Sequence, residues 1–134
     1  MELDVADTDV FAYVVSDNYL SIQVFHIRGH KTIARNGFLF EVMGSSEEMF
    51  VDFIGQFYLE RNFPIPKEIL IPSVDYSSLS EPIKNRIVVP KIGQKKQYVM
   101  LVQENALERL DELIRQEQND MIKHWVRLLN WENY

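Results

Sequence analysis

A chain of 134 residues, 46% hydrophobic and 25% charged, is long enough to bury a core without staples and has the composition of an ordinary globular protein. It has no cysteine, which excludes disulfides and thiolate metal sites and fits a reducing cytoplasm. No apolar run approaches the roughly 20 residues that span a bilayer, and the acidic start, Met1-Glu2-Leu3-Asp4, lacks the hydrophobic stretch of a signal peptide. A net charge of −6 argues against the whole surface being a nucleic-acid binder, because phosphate recognition wants a basic face.

Residues 1–8 read as a linker and 9–134 as one domain. Asp9–Ser16, rich in β-branched and aromatic residues, predicts a strand that ends at the turn signal Asp17-Asn18. Leu20–Arg28 predicts a second strand, followed by Gly29-His30 as a hairpin turn. Lys31–Glu41 predicts a third, with a bulge or bend near Asn36-Gly37. The period then changes. Ser45 as N-cap with Glu48 three residues on makes a capping box, and Phe50, Phe53, Ile54, Phe57 and Tyr58 recur at helical spacing. That helix should stop near Arg61-Asn62, ahead of Pro64 and Pro66. The aromatic stripe is expected to pack a core against the sheet, not to stack on bases.

Glu68–Ser73 is a short, almost continuous apolar run, expected to be a buried parallel strand. Ser77–Asn85 predicts a short helix limited by Pro82, and Arg86–Pro90 a second short strand. From Tyr98 the helical period returns through Leu101, Val102, Leu107, Leu110, Leu113 and Ile114, with a further set of helical turns through Met121, Ile122, Trp125, Leu128 and Leu129. Trp125 and Trp131 are read either as a cap on the core or as a surface that a neighbouring domain covers. The order β-β-β-α-β-α-β-α, three antiparallel strands and then alternating helices and strands, predicts an α/β (mixed-sheet α+β) ribonuclease H-like fold.

Fold alone does not assign chemistry. An active centre in that fold needs carboxylates converging on two divalent cations, one of them from the middle of the first strand. Here that position reads Ala12-Tyr13-Val14, with Asp9 and Asp17 only at the strand's ends. The remaining acids are Glu47, Glu48 and Asp52 on the helix and Asp75 after the fourth strand; Glu48 is also explained as a cap favoured by the helix dipole. The expectation is no metal site, with a stand-alone nuclease using Asp9, Glu48 and Asp75 kept as the enzyme alternative. His26, His30 and His124 have no ligand spacing and read as packing or surface residues. The five glycines are scattered, so no phosphate loop is present. Neither a cofactor nor a small-molecule ligand is expected.

Charge is unevenly spread. Lys84, Arg86, Lys91, Lys95 and Lys96 fall between Pro82 and Gln97 without an acid among them, whereas acids dominate from Glu104 to Asp120. Lys91, Lys95 and Lys96 bracket Gly93 in what reads as a strand-to-helix loop, where helix N–H groups would add to an anion site. Contact with DNA phosphates is one reading; a solvated loop that keeps the domain soluble is the other.

Several stretches, in order, resemble one family. Asp9-Val10-Phe11-Ala12-Tyr13 and Ile22-Gln23-Val24-Phe25-His26-Ile27-Arg28-Gly29-His30-Lys31 are similar to the D-V-F-G segment and V-Q-V-F-F-V-R-x-G-K hairpin of the UvrC family's central region. Phe53-Ile54-Gly55-Gln56-Phe57-Tyr58 and Pro66-Lys67-Glu68-Ile69-Leu70-Ile71-Pro72 resemble its F-I-x-Q-F-Y and P-x-E-I-x-x-P stretches. Pro90-Lys91-Ile92-Gly93-Gln94-Lys95-Lys96 with Glu104-Asn105-Ala106 resembles its P-x-x-G-x-K-K and N-A elements. The matches run from about Asp9 to Leu110. The resemblance implies a part of a subunit that works with UvrA and UvrB in nucleotide excision repair. Its two cutting centres lie in a GIY-YIG domain and in a C-terminal nuclease, and neither motif is present here. The region resembled lies between the family's UvrB-binding motif and the C-terminal nuclease, so no catalytic residue carries over. The resemblance implies a catalytically degenerate, architectural domain in the cytoplasm, with DNA, UvrB and other UvrC domains as partners. A pure protein-interaction module is the third reading.

Overall fold

The computed structural model describes residues 7–130, and Trp131 lies outside them. Strands β1 (Thr8–Ser16), β2 (Tyr19–Arg28) and β3 (Lys31–Glu41) form an antiparallel meander. Helix α1 (Ser46–Glu60), strand β4 (Glu68–Leu70), helix α2 (Glu81–Lys84), strand β5 (Ile87–Val88) and helix α3 (Gly93–Asn130) follow. The sheet order is β3-β2-β1-β4-β5, with β4 parallel to both β1 and β5. This is the mixed sheet that the order of elements predicted.

Both hairpin turns are two residues long. Asp17 (φ 52°) and Asn18 (φ 64°) occupy the first, Gly29 (φ 56°) and His30 (φ 67°) the second. Two successive positive φ values are the type I′ geometry whose twist matches the flanking strands. The short first turn sets the register, so that Asp9 faces His26 and Phe11 faces Val24.

The sheet is covered on both faces. On one, Phe11, Ile22, Val24 and Ile69 pack against Phe50, Ile54, Phe57 and Tyr58 of α1. On the other, Val10, Ala12, Phe25 and Leu70 meet Val99 and Val102 of α3. The fully buried Ala106 lets α3 come close to β2, where the Ser21 hydroxyl donates to the Ala106 carbonyl at 2.8 Å. The α1 aromatics therefore serve the core, as expected: Phe11 and Phe57 stand edge to face, 5.4 Å between ring centroids.

The capping box is observed in its N-cap half. Ser45 Oγ accepts from the Glu48 N–H at 3.3 Å, and Glu47 and Glu48 sit in the first turn, where the dipole favours acids. Ser45→Ala is expected to destabilise the protein by about 1 kcal/mol, read from chemical denaturation at unchanged m-value.

Three expectations are corrected. The bulge is not at Asn36-Gly37. His26 pairs with Ala34 and Ile27 with Thr32, so Ile33 is the extra residue. Gly37 instead lies under the Gln23 amide, where a Cβ would collide with that side chain. Strands β4 and β5 are shorter than the apolar runs that contain them. The last helical segments, expected from Tyr98 and again near Met121, are one helix of 38 residues beginning at Gly93. Gly93, at φ 83°, makes the turn into it. No glycine or proline occurs from Gln94 to Asn130, so nothing in the backbone chemistry interrupts the ladder.

Candidate nucleic-acid interface and carboxylate sites

The basic segment spans the end of α2, β5 and the first turn of α3. Two of its residues bind the chain entering β4: Arg86 Nη1 donates to the Pro66 carbonyl at 3.2 Å, and Lys95 Nζ pairs with Glu68 at 2.8 Å. Lys84 Nζ is directed elsewhere, to the Ser77 carbonyl at 3.4 Å. Lys95 and Lys96 belong to the first turn of α3, not to a loop as expected, because helix-favouring Gln94–Gln97 extend the helix back to Gly93. Lys91 is exposed and Lys96 partly so, and among the described residues no ion pair engages either. The cations free to meet an anion are thus Lys91 and Lys96, beside the helix N–H groups of the first turn.

The acids of α1 and Asp75 come together in a second place. Glu47, Glu48, Asp52 and Asp75 line a cleft of about 320 Å³ with Ser45, Ser77 and Ser78. The Asp75 N–H donates to Glu47 Oε2 at 3.4 Å. Asp75 Oδ1 accepts from the Ser77 hydroxyl at 2.7 Å and the Ser77 N–H at 3.0 Å, which lowers its carboxyl below the ordinary value. On the adjacent face of β1 stands Tyr13, its ring 4.4 Å from that of Phe50. Burial and then the charge of Glu47 raise the Tyr13 phenol. A tyrosine, not an acid, is thus the residue of the central strand on which the charge of Glu47 acts. Among the described residues no three His, Cys, Asp or Glu side chains are grouped to hold a metal ion.

Asp9, the remaining acid of the nuclease alternative, is not in that cleft. It lies 1% exposed at the start of β1. Its Oδ1 accepts from His26 Nδ1 at 2.8 Å and Arg28 Nη1 at 3.0 Å, and its Oδ2 from the Tyr58 hydroxyl at 2.6 Å. Asn36 Nδ2 lies 3.2 Å from His26 Nε2. One neutral tautomer, with the proton on Nδ1, satisfies both ring nitrogens. Burial works to raise the Asp9 carboxyl, but the hydrogen bonds from His26 and Tyr58, with the electrostatic pull of His26 and Arg28, hold it below the ordinary carboxylate value. Burial, then the Asp9 charge and hydrogen bond, push the Tyr58 phenol far above its usual range. Both oxygens of the Asp9 carboxylate are thus engaged by donors.

Sequence reasoning treated Asp9 and His26 separately. The signal that joins them is arithmetic: with Asp17-Asn18 as a two-residue turn, positions summing to 35 face each other, which pairs 9 with 26. His30, in the turn after β2, and His124, on α3, are both exposed.

Among the described residues no helix is long and apolar enough to cross a membrane. No solved structure matches the chain. UvrABC system protein C of Streptococcus uberis is 38% identical over 107 residues, covering 79% of this chain and 18% of that protein. The protein of the same name from Streptococcus equi subsp. zooepidemicus is 36% identical over 139 aligned residues, covering 98% of this chain and 23% of its own length. That from Streptococcus mutans is 39% identical over 107 residues. The chain spans about a fifth of the length of these curated relatives. The family model described as the UvrC ribonuclease H-like domain matches residues 7–113, most of the chain, and the chain belongs to that family.

Proposed function

We propose that this is a non-catalytic, architectural domain of a UvrC-type subunit of bacterial nucleotide excision repair, working in the cytoplasm on DNA together with UvrB and the rest of UvrC. In this reading residues 9–134 form a single degenerate ribonuclease H-like domain that spaces the subunit's two nuclease centres. The observation that carries it is the placement of the acids. In the first strand it is Tyr13 that feels the charge of Glu47, one of the acids of the cleft, while the strand's own carboxylate, Asp9, is consumed by His26, Arg28 and Tyr58. A two-cation mechanism lacks its central ligand there. A spacing role is supported by α3, whose 38 residues make a rod about 57 Å long at 1.5 Å per residue.

DNA contact, in this reading, is to the phosphate backbone through Lys91 and Lys96 at the start of α3, with Lys84, Arg86 and Lys95 contributing less because their charged ends already have partners. The domain is expected to show no nicking of damaged duplex with magnesium or manganese. Binding to the same duplex should be weak, sequence-independent and salt-sensitive. A Lys91→Glu and Lys96→Glu pair should weaken it and make the dependence of log K on log salt shallower by about two units. Metal-dependent cleavage abolished by Asp75→Asn contradicts the proposal, and unchanged binding in the double variant removes the lysines from it.

A further inference from the structure

The far end of α3 carries an apolar face that nothing among the described residues covers. Trp125 is 57% and Leu129 77% exposed, with Met121, Ile122, Val126 and Leu128 also open to solvent. The face is not confined to the tip. Met100, Leu107, Ile114, Met121 and Leu128 fall every seventh residue along the helix, and all but the half-buried Ile114 are exposed. Along the root of the helix the side that rests on the domain is a different one, but the row winds about 20° per heptad, so that Met121 and Leu128 continue the line of the buried side past the edge of the sheet, where nothing among the described residues covers it. The buried side carries Val99, Val102, Ala106 and Leu110, and farther on Glu117, whose charge raises the Tyr19 phenol. A seven-residue apolar row on a straight helix is the pattern of a helix–helix seam.

Charge along α3 says which helix fits. From Glu104 to Asp120 there are six acids against Arg109 and Arg115, whereas Met121–Asn130 holds Lys123, His124 and Arg127 and no acid. The apolar tip is thus flanked by cations, and the part of the helix just before it by anions. We infer that this face joins two copies of the chain through their α3 helices, side by side and antiparallel. In the register that sets Leu107 of one copy level with Leu128 of the other, Ile114 is level with Met121. The same register sets Glu108 level with Arg127, Glu112 with Lys123 and Asp120 with Arg115. A parallel arrangement in register puts each acid at the level of its own copy and sets the acidic stretches against each other. The overlap, residues 105–130 of each copy, is about 39 Å long, which suits the roughly 1,200 Å² of total buried surface that a specific interface needs.

Sedimentation equilibrium of the full chain tests the proposal. A monomer–dimer equilibrium is expected in the micromolar range, and Met121→Glu with Trp125→Glu should weaken it about a hundredfold or more, because charges would enter an apolar seam. Both residues are exposed, so circular dichroism of the variant should match the parent. The chain has no native cysteine, so register is read by oxidation. Ile114→Cys chains mixed with Met121→Cys chains should cross-link to each other far faster than either does to itself. A chain that stays monomeric at high concentration overturns the inference. So does a dimer untouched by the double variant, or one in which each cysteine variant prefers its own kind.

Discussion

Asp9→Ala is expected to cost about 3–5 kcal/mol, the range for removing one partner from a buried ion pair, and to lower the melting temperature by roughly 10–20 °C. The carboxylate is 1% exposed and holds three donors, from His26, Arg28 and Tyr58. Deleting it strands the Tyr58 hydroxyl inside the core and leaves the Arg28 charge with only the carbonyls of Thr8 and Ile27. The pH dependence has a definite sign. The folded-state carboxyl lies below 3.8, so the unfolded chain takes up the proton first. The stabilisation is present above 3.8 and is lost as pH falls through the folded value. Urea melts across the acid range should show the native protein losing stability there, with a flatter acid limb in Asp9→Asn. A melting temperature for Asp9→Ala within two degrees of the native value contradicts this account of the network.

Phe57→Ala should cost a similar amount, about 3–5 kcal/mol, for a different reason. Phe57 is the common neighbour of the aromatic cluster. Its ring centroid lies 5.1 Å from that of Phe63, 5.3 Å from Tyr58, 5.4 Å from Phe11 and 5.7 Å from His26. The loss combines lost burial with a cavity whose walls are held by the sheet on one side and the α1 backbone on the other, so collapse is limited. Phe57→Leu, which refills most of the volume, should recover more than half of the loss in thermal melts. An alanine variant as stable as Phe57→Leu shows that the site relaxes and the ring contacts matter little.

How far the sequence led depends on the range of the interaction. The strands of the meander, the turns Asp17-Asn18 and Gly29-His30 and the Ser45 cap are local features, and local chemistry specifies them. The mixed character of the sheet, three antiparallel strands and then parallel ones, followed from the succession of elements. The bulge was misplaced because Asn36-Gly37 looks like a local break, whereas the observed slip at Ile33 serves the pairing of β2 with β3. The length of α3 was missed because the polar run Arg115–Asp120 interrupts its apolar stripe: Val99, Val102, Ala106 and Leu110 pack on the sheet, and Met121, Trp125 and Leu128, beyond that run, do not. A polar gap along one helix reads, in sequence, like the break between two. At the candidate site, the lysines were visible as a run of like charge, but that Glu68 engages Lys95 and Pro66 engages Arg86 depends on how α3 and β5 sit beside β4. The Tyr58–Asp9 bond joins residues 49 apart, and no local pattern announces it.

The continuity of α3 has a mechanical consequence. Its root is fastened to the sheet by Ala106 and Ser21, and the stretch from Gln118 to Asn130, about 20 Å at the helical rise, runs on without a hinge. Such an arm converts rotation into travel: a ten-degree rocking about Ala106 sweeps the tip through about 6 Å. Small adjustments in how the helix seats on β1 and β2 are therefore magnified at its far end, and substitutions at Ala106 should be felt there although they lie some 35 Å away.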